Sequence, residues 1–224
     1  PSSTTGVIIK HEYYGLSYSE EHEQAEWVAY ELTRDRLNNN MVKRANNFRP
    51  DPKIETGSAT IYDYKRSGYD RGHMVPAGDM AFSSRSMSQT FYMSNMSPQL
   101  RNFNGGIWRE LEENVRDWAR RFRHLYIVSG PILTDRLPEH IGDNRVSVPK
   151  RYFKVILDVS EPELKGIAYI MPNETSSRPI DDYAVSIDEV EAQTGIDFFH
   201  HLLDDDKETV LESQSDPSLW RYDQ

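Results

Sequence analysis

A chain of 224 residues with 37% hydrophobic and 28% charged residues can bury a substantial core, and no apolar run in it approaches the ~20 residues that span a bilayer. The formal charge of −10, from 36 acidic against 26 basic residues, argues against a protein that coats nucleic acid, though not against one with a local basic cleft. With no cysteine, disulfides and thiolate-ligated metals are excluded.

In chain order, Pro1 to about Gly6 reads as a loose terminus without a methionine or a charged apolar leader. Ser19 to Leu37 reads as an amphipathic helix, with Ser17 or Ser19 as N-cap before an acidic first turn. Asn38 to Pro52 is polar and loop-rich. One strand leads into His73 and a second is expected around Phe91 to Asn95. A helix is predicted from about Gly105 to Arg123, because Ile107, Leu111, Val115, Trp118, Phe122 and Leu125 recur at the spacing of one face. His124 to Leu133, Arg151 to Val159 and Leu164 to Met171 read as strands, the first and last rich in β-branched and aromatic residues. Beyond Pro172 a loop gives way to a helical pattern near Ile187 to Thr194, and the acidic end from Asp204 onward reads as peripheral.

The most informative run is Tyr69-Asp70-Arg71-Gly72-His73. Imidazole suits proton transfer near neutrality. The arginine two residues away offers a permanently charged fork that matches a phosphate. The glycine between them indicates a turn or a close approach that no side chain would permit.

Downstream, Asn104, Trp108, Glu112 and Arg116 recur every fourth residue, a stripe that drifts by about 40° per step on an α-helix. If Asn104 lies within or just before the first turn, an amide oxygen, a carboxylate and a guanidinium share one edge. Glu112 and Arg116 taken alone would be an ordinary i,i+4 pair, and Trp108 reads as packing. Arg120, Arg121 and Arg123 read as a solvated face first, because Glu110, Glu113 and Asp117 interrupt them. His200 and His201 precede Asp204-Asp205-Asp206, but adjacent histidines on a helix point about 100° apart, so a second metal site is not expected. His11, His22, His124 and His140 have no visible partners.

Taken together, Asp70-Arg71-Gly72-His73, Ser94-Asn95-Met96-Ser97-Pro98-Gln99 and Asn104 to Trp108 with Glu112 resemble the DNA/RNA non-specific endonuclease family, the ββα-metal nucleases. The resemblance implies one α+β domain over residues 1–224, with a motif core at about 44–116. A central, mainly antiparallel sheet would carry a ββα-metal catalytic unit and flanking helices. By the same resemblance His73 is the general base and Asn95 fixes its surroundings. Asn104 is the direct ligand of a magnesium–water cluster, with Mn2+ as substitute, and Glu112 holds metal-bound water. Arg71 and Arg116 bind phosphate. Arg44 is the upstream substrate arginine, with Arg49 close enough to be the alternative.

The implied reaction is hydrolysis of DNA and RNA phosphodiesters with little sequence preference. A magnesium ion with one or two protein ligands supplies Lewis acidity there, and a second-layer carboxylate can orient its retained waters. Family analogy implies export to the periplasm or medium, occasional homodimers and an inhibitor partner, but no membrane. The rival reading is a catalytically silent nucleic-acid-binding or toxin-like protein on the same scaffold; intact His73, Asn104 and Glu112 argue against it.

Overall fold

The structure, a computed structural model, describes residues 1–39, 41–160, 164–202 and 205–221. Its first elements are β1 (Ile8–Lys10), β2 (Tyr14–Ser19), β3 (Gln24–Thr33), α1 (Arg34–Asn38) and α2 (Ile61–Tyr64). The middle of the chain forms β4 (Asp70–His73), α3 (Ser84–Gln89), β5 (Met96–Gln99), α4 (Arg101–Asn104) and α5 (Ile107–Phe122). There follow β6 (His124–Pro131), β7 (His140–Ile141), β8 (Val146–Ser147), β9 (Arg151–Asp158), β10 (Lys165–Pro172), β11 (Ala184–Val185), α6 (Ile187–Thr194) and α7 (Asp205–Glu212).

Seven strands form one antiparallel sheet in the order β1-β2-β3-β6-β9-β10-β11. Its central strands are buried on both faces, and alternate side chains go to opposite cores. From β9, Tyr152 and Ile156 join one core, while Phe153, Val155 and Leu157 join the other. Helix α5 fills the first core through Ile107, Trp108, Leu111, Val115 and Trp118. Helices α6 and α7 cover the second through Ile187, Val190 and Leu211. Each large side chain fully buried this way contributes about 1.5–3 kcal/mol. On the α5 side, β4 and β5 pair antiparallel with His73 opposite Met96, and with α4 and α5 they make the ββα unit of the expected α+β fold.

Three expectations about elements change. The region expected as a helix over Ser19 to Leu37 is mostly strand β3, and only Arg34–Asn38 is helical, capped by Thr33. Its apolar residues also suit a helix face, but Val28, Tyr30 and Leu32 face one core and Trp27 the other, so pairing with both β2 and β6 decides the state. The strand expected at Phe91 to Asn95 is a turn with one 3-10 segment, Met93–Asn95, paired only through an isolated parallel bridge between Tyr92 and Arg49, and the ladder with β4 starts at Met96. The amino-terminal residues are tethered rather than loose: Ser2 N donates to Asp197 O at 2.7 Å, and Trp27 Nε1 donates to Ser2 O at 2.8 Å. Asp204 lies outside the described residues, and His200 and His201 stand in a turn, not on a helix.

Candidate active site

His73 ends β4 and is 8% exposed. Its ring hydrogen-bonds to the Arg71 backbone, and Nε2 is buried without a partner, so Nδ1 makes that bond. Phe91 and Phe48 meet the ring edge-on at 5.0 and 5.8 Å. Burial first, then the Arg44 charge, pushes the imidazole pKa down to about 3. The ring is therefore neutral at physiological pH, and its Nε2 lone pair is free to accept a proton.

The Asn95 side chain acts not on His73 itself but on the chain that follows it. Its Oδ1 accepts from Val75 N at 2.8 Å, and its Nδ2 donates to Val75 O at 3.1 Å and Thr90 O at 2.9 Å. Met74 N adds a bond to the Asn95 backbone carbonyl at 3.0 Å. A fully buried amide with its donors and acceptor satisfied rigidifies the exit of β4.

Two arginines stack on the aromatic rings around the imidazole. The Arg71 guanidinium lies 4.1 Å from the Phe48 ring centroid, and that of Arg44 lies 4.9 Å from Phe91. Arg44 acts electrostatically on His73, Arg71 and Glu112, which makes it the charge common to all three. Arg49 is engaged elsewhere: it donates to Asn47 O, Ser88 O and Ser88 Oγ and lies over Tyr92 at 4.1 Å. A groove of about 1000 Å³ contains Arg44, Arg71 and Asn104 in its lining, together with Lys65, Arg66 and Arg101. In a chain with net charge −10, this is a concentrated local excess of positive charge.

Asn104 lies at the end of α4, not on α5, so the expected stripe is interrupted. The break needs Gly106, where a Cβ would stand 2.2 Å from the Asn102 carbonyl oxygen. Asn104 Nδ2 donates to Asp70 Oδ2 at 3.2 Å, and its Oδ1 accepts no hydrogen bond among the described residues. Glu112 is half-buried on α5. Burial pushes its carboxyl up to about 7, against the pull of Lys154 and with the help of Asp79. Arg116 does not pair with Glu112; its Nη1 donates to Asp79 Oδ1 at 2.9 Å, and Tyr30 donates to Asp79 Oδ2 at 2.8 Å. Lys154 is fully buried, with Nζ 3.2 Å from Ser129 Oγ and 4.7 Å from the Trp108 ring centroid. Trp108 itself is packing, with its ring tilted against Phe103 and Tyr152 at centroid distances of 5.5 and 5.7 Å.

An oxygen-preferring dication fits these residues. Asn104 offers an amide oxygen that no described residue uses, and Glu112 offers a carboxylate whose charge burial disfavours in the absence of a cation. Asp79, Lys154 and Tyr30 went unnoticed in the sequence, because they lie 33, 42 and 82 positions from Glu112 and no spacing links them. His11 has a partner that spacing also hid: its Nε2 lies 2.8 Å from Asp51, which accepts from Ser94 as well. His200 and His201 have ring centroids 3.9 Å apart, with His200 near Asp197, and they join no metal-capable group among the described residues.

Residues 1–205 match the family model described as DNA/RNA non-specific endonuclease. Mitochondrial nuclease EXOG of Danio rerio is 34% identical over 199 residues, covering 82% of this chain and 58% of that protein. Human mitochondrial endonuclease G is 32% identical over 205 residues, covering 86% of this chain and 69% of that protein. Nuclease C1 of Cunninghamella echinulata var. echinulata is 34% identical over 218 residues, with 89% and 85% covered. A chain of the solved EndoG/EndoGI complex superposes with a TM-score of 0.79 at 34% identity, covering 88% of this chain and 86% of that one. The chain spans 56% to 58% of the length of the EXOG proteins it matches. The expectation of a secreted or periplasmic protein is corrected by these relatives, since the EXOG and endonuclease G proteins are mitochondrial. Motifs, fold and whole-sequence similarity agree: the chain belongs to the DNA/RNA non-specific endonuclease family.

Proposed function

We propose that this chain is an endonuclease that hydrolyses phosphodiester bonds of DNA and RNA without reading sequence. It depends on Mg2+, with Mn2+ able to substitute. The observation that carries the reading is a buried, neutral imidazole with one unpaired nitrogen, beside two arginines that line a basic groove. The reading treats residues 1–224 as one domain with its motif core at about 44–116.

His73 Nε2 takes the proton of the attacking water, while the bond from its ring to the Arg71 backbone holds the tautomer that leaves Nε2 open. Asn95 is a positioning residue that holds the backbone after His73. Arg71 and Arg44 bind the phosphate flanking the scissile bond. Arg116 adds the donors that its single bond to Asp79 leaves over. Asn104 holds the ion directly through its amide oxygen, and Glu112 holds it through water. When bound, the ion supplies Lewis acidity at the phosphate and orients the substrate. Broad specificity follows from contacts to phosphate, which position a strand without reading its bases. The likeness to the EndoG/EndoGI complex, which concerns EndoG inhibition, supports an inhibitor protein as a partner class, and a homodimer is a further assembly of the same reading.

Cleavage of supercoiled plasmid and of single-stranded RNA tests this function. Magnesium-dependent degradation, lost with excess chelator and in His73→Ala, is the expected result. No cleavage of either polymer by folded protein would favour the catalytically silent scaffold.

A further inference from the structure

The sheet face opposite α5 carries carboxylates that the proposed reaction does not use. Asp188 and Glu191 stand one turn apart on α6, and Glu212 ends α7. One carboxylate oxygen from each lies within 4.8 Å of the other two. Glu212 is only 6% exposed, yet its Oε1 has no hydrogen-bond partner. An oxygen stranded this way bears its full desolvation penalty with no hydrogen bond to offset it, and a larger one when charged. Glu191 spends Oε1 on Phe198 N at 2.8 Å and keeps its second oxygen. The charges that act most strongly on Glu212 are all negative: Glu191, Glu208, Asp188 and Asp197.

We propose that Asp188, Glu191 and Glu212 bind a divalent, oxygen-preferring cation of the Ca2+ type, which clamps α7 to α6. The spacing suits a single ion: ligands contacting it at about 2.4 Å can stand at most about 4.8 Å apart. Ca2+ accepts irregular carboxylate sets completed by water, whereas Mg2+ demands near-octahedral geometry. Without the ion, burial and the surrounding carboxylates push the Glu212 pKa up to about 8, so a proton occupies the place of the cation near neutrality. The two helices pack in the core on the far side of the sheet from α5, so the ion acts on the docking of α7 and not on the groove.

Calcium titration calorimetry at pH 7.5, paired with thermal melts, tests the site on the whole chain. Wild type and Asn104→Ala are expected to bind calcium on the α6–α7 face and to melt higher with it. Glu212→Gln and Asp188→Asn should each bind one equivalent fewer and lose that rise in Tm. Asp188 is exposed, so its amide variant leaves the fold intact even if Glu212→Gln alters packing. Failure of wild type to bind millimolar calcium, wild-type stoichiometry in both carboxylate variants, or loss of all binding in Asn104→Ala would each overturn the proposal.

Discussion

A Cβ placed on Gly72 would stand 2.2 Å from Gln99 Oε1 and 2.5 Å from its Cγ. Gln99 is fully buried and pairs with Asp70 across the β4–β5 ladder, so it cannot simply swing into solvent. Gly72 is thus required for close approach, not for a turn, and it is absent from the positive-φ residues. Gly72→Ala is expected to cost about 1–3 kcal/mol through overpacking and to displace the flanking Arg71 and His73. Urea denaturation and a cleavage assay read the two effects; unchanged values in both would show that Gln99 moves aside freely.

His73→Ala is expected to lower turnover by at least about 100-fold, the low end for a lost general base, while the protein still melts cooperatively. A variant with the wild-type rate would remove His73 from the mechanism.

The same histidine sets a pH dependence of stability. Its folded pKa, about 3, lies below the ordinary value of 6.5 for an imidazole. Above pH 6.5 neither state is protonated and the shift has no effect. As pH falls through 6.5 the unfolded chain takes up a proton that the folded site refuses, and stability is lost until about pH 3. Between pH 7.5 and 5.5 the stability of His73→Gln relative to wild type should therefore improve by about 1.4 kcal/mol. Urea titrations of both proteins at the two pH values check this, and a gap independent of pH would contradict it.

Asn104→Ala is expected to raise the magnesium concentration needed for half-maximal rate and to lower the rate itself. Glu112→Gln should be milder than Glu112→Ala, since an amide still hydrogen-bonds water. Metal titrations of cleavage rate separate these cases. Equal losses in the two Glu112 variants would mean that charge, not hydrogen bonding, carries its role.

Arg44 and Arg49 should separate by readout. Arg44 lines the groove, so Arg44→Ala is expected to weaken DNA binding and to reduce its salt slope by about 1. Arg49 is bound to Asn47 and Ser88, so Arg49→Ala should lower the melting temperature with little change in that slope. A reversed pattern would make Arg49 the substrate arginine.

Local chemistry was legible in the sequence where one short segment carried it. Arg71, Gly72 and His73 lie on one strand, and the period of Ile107, Leu111, Val115 and Trp118 identified α5 and its buried face. Strands β6, β9 and β10 and helix α6 were likewise readable, because their apolar runs have the length and residue types of their state. Tertiary structure alone decided β3, whose apolar spacing suits helix and strand equally until ladders with β2 and β6 form. It also sent Arg116 to Asp79 instead of Glu112, buried Lys154 beside Trp108 and brought Arg44 into the field of His73. Those relationships join residues tens of positions apart, and periodicity carries information only along one element. Burial and long-range charge exist only once the chain has closed on itself.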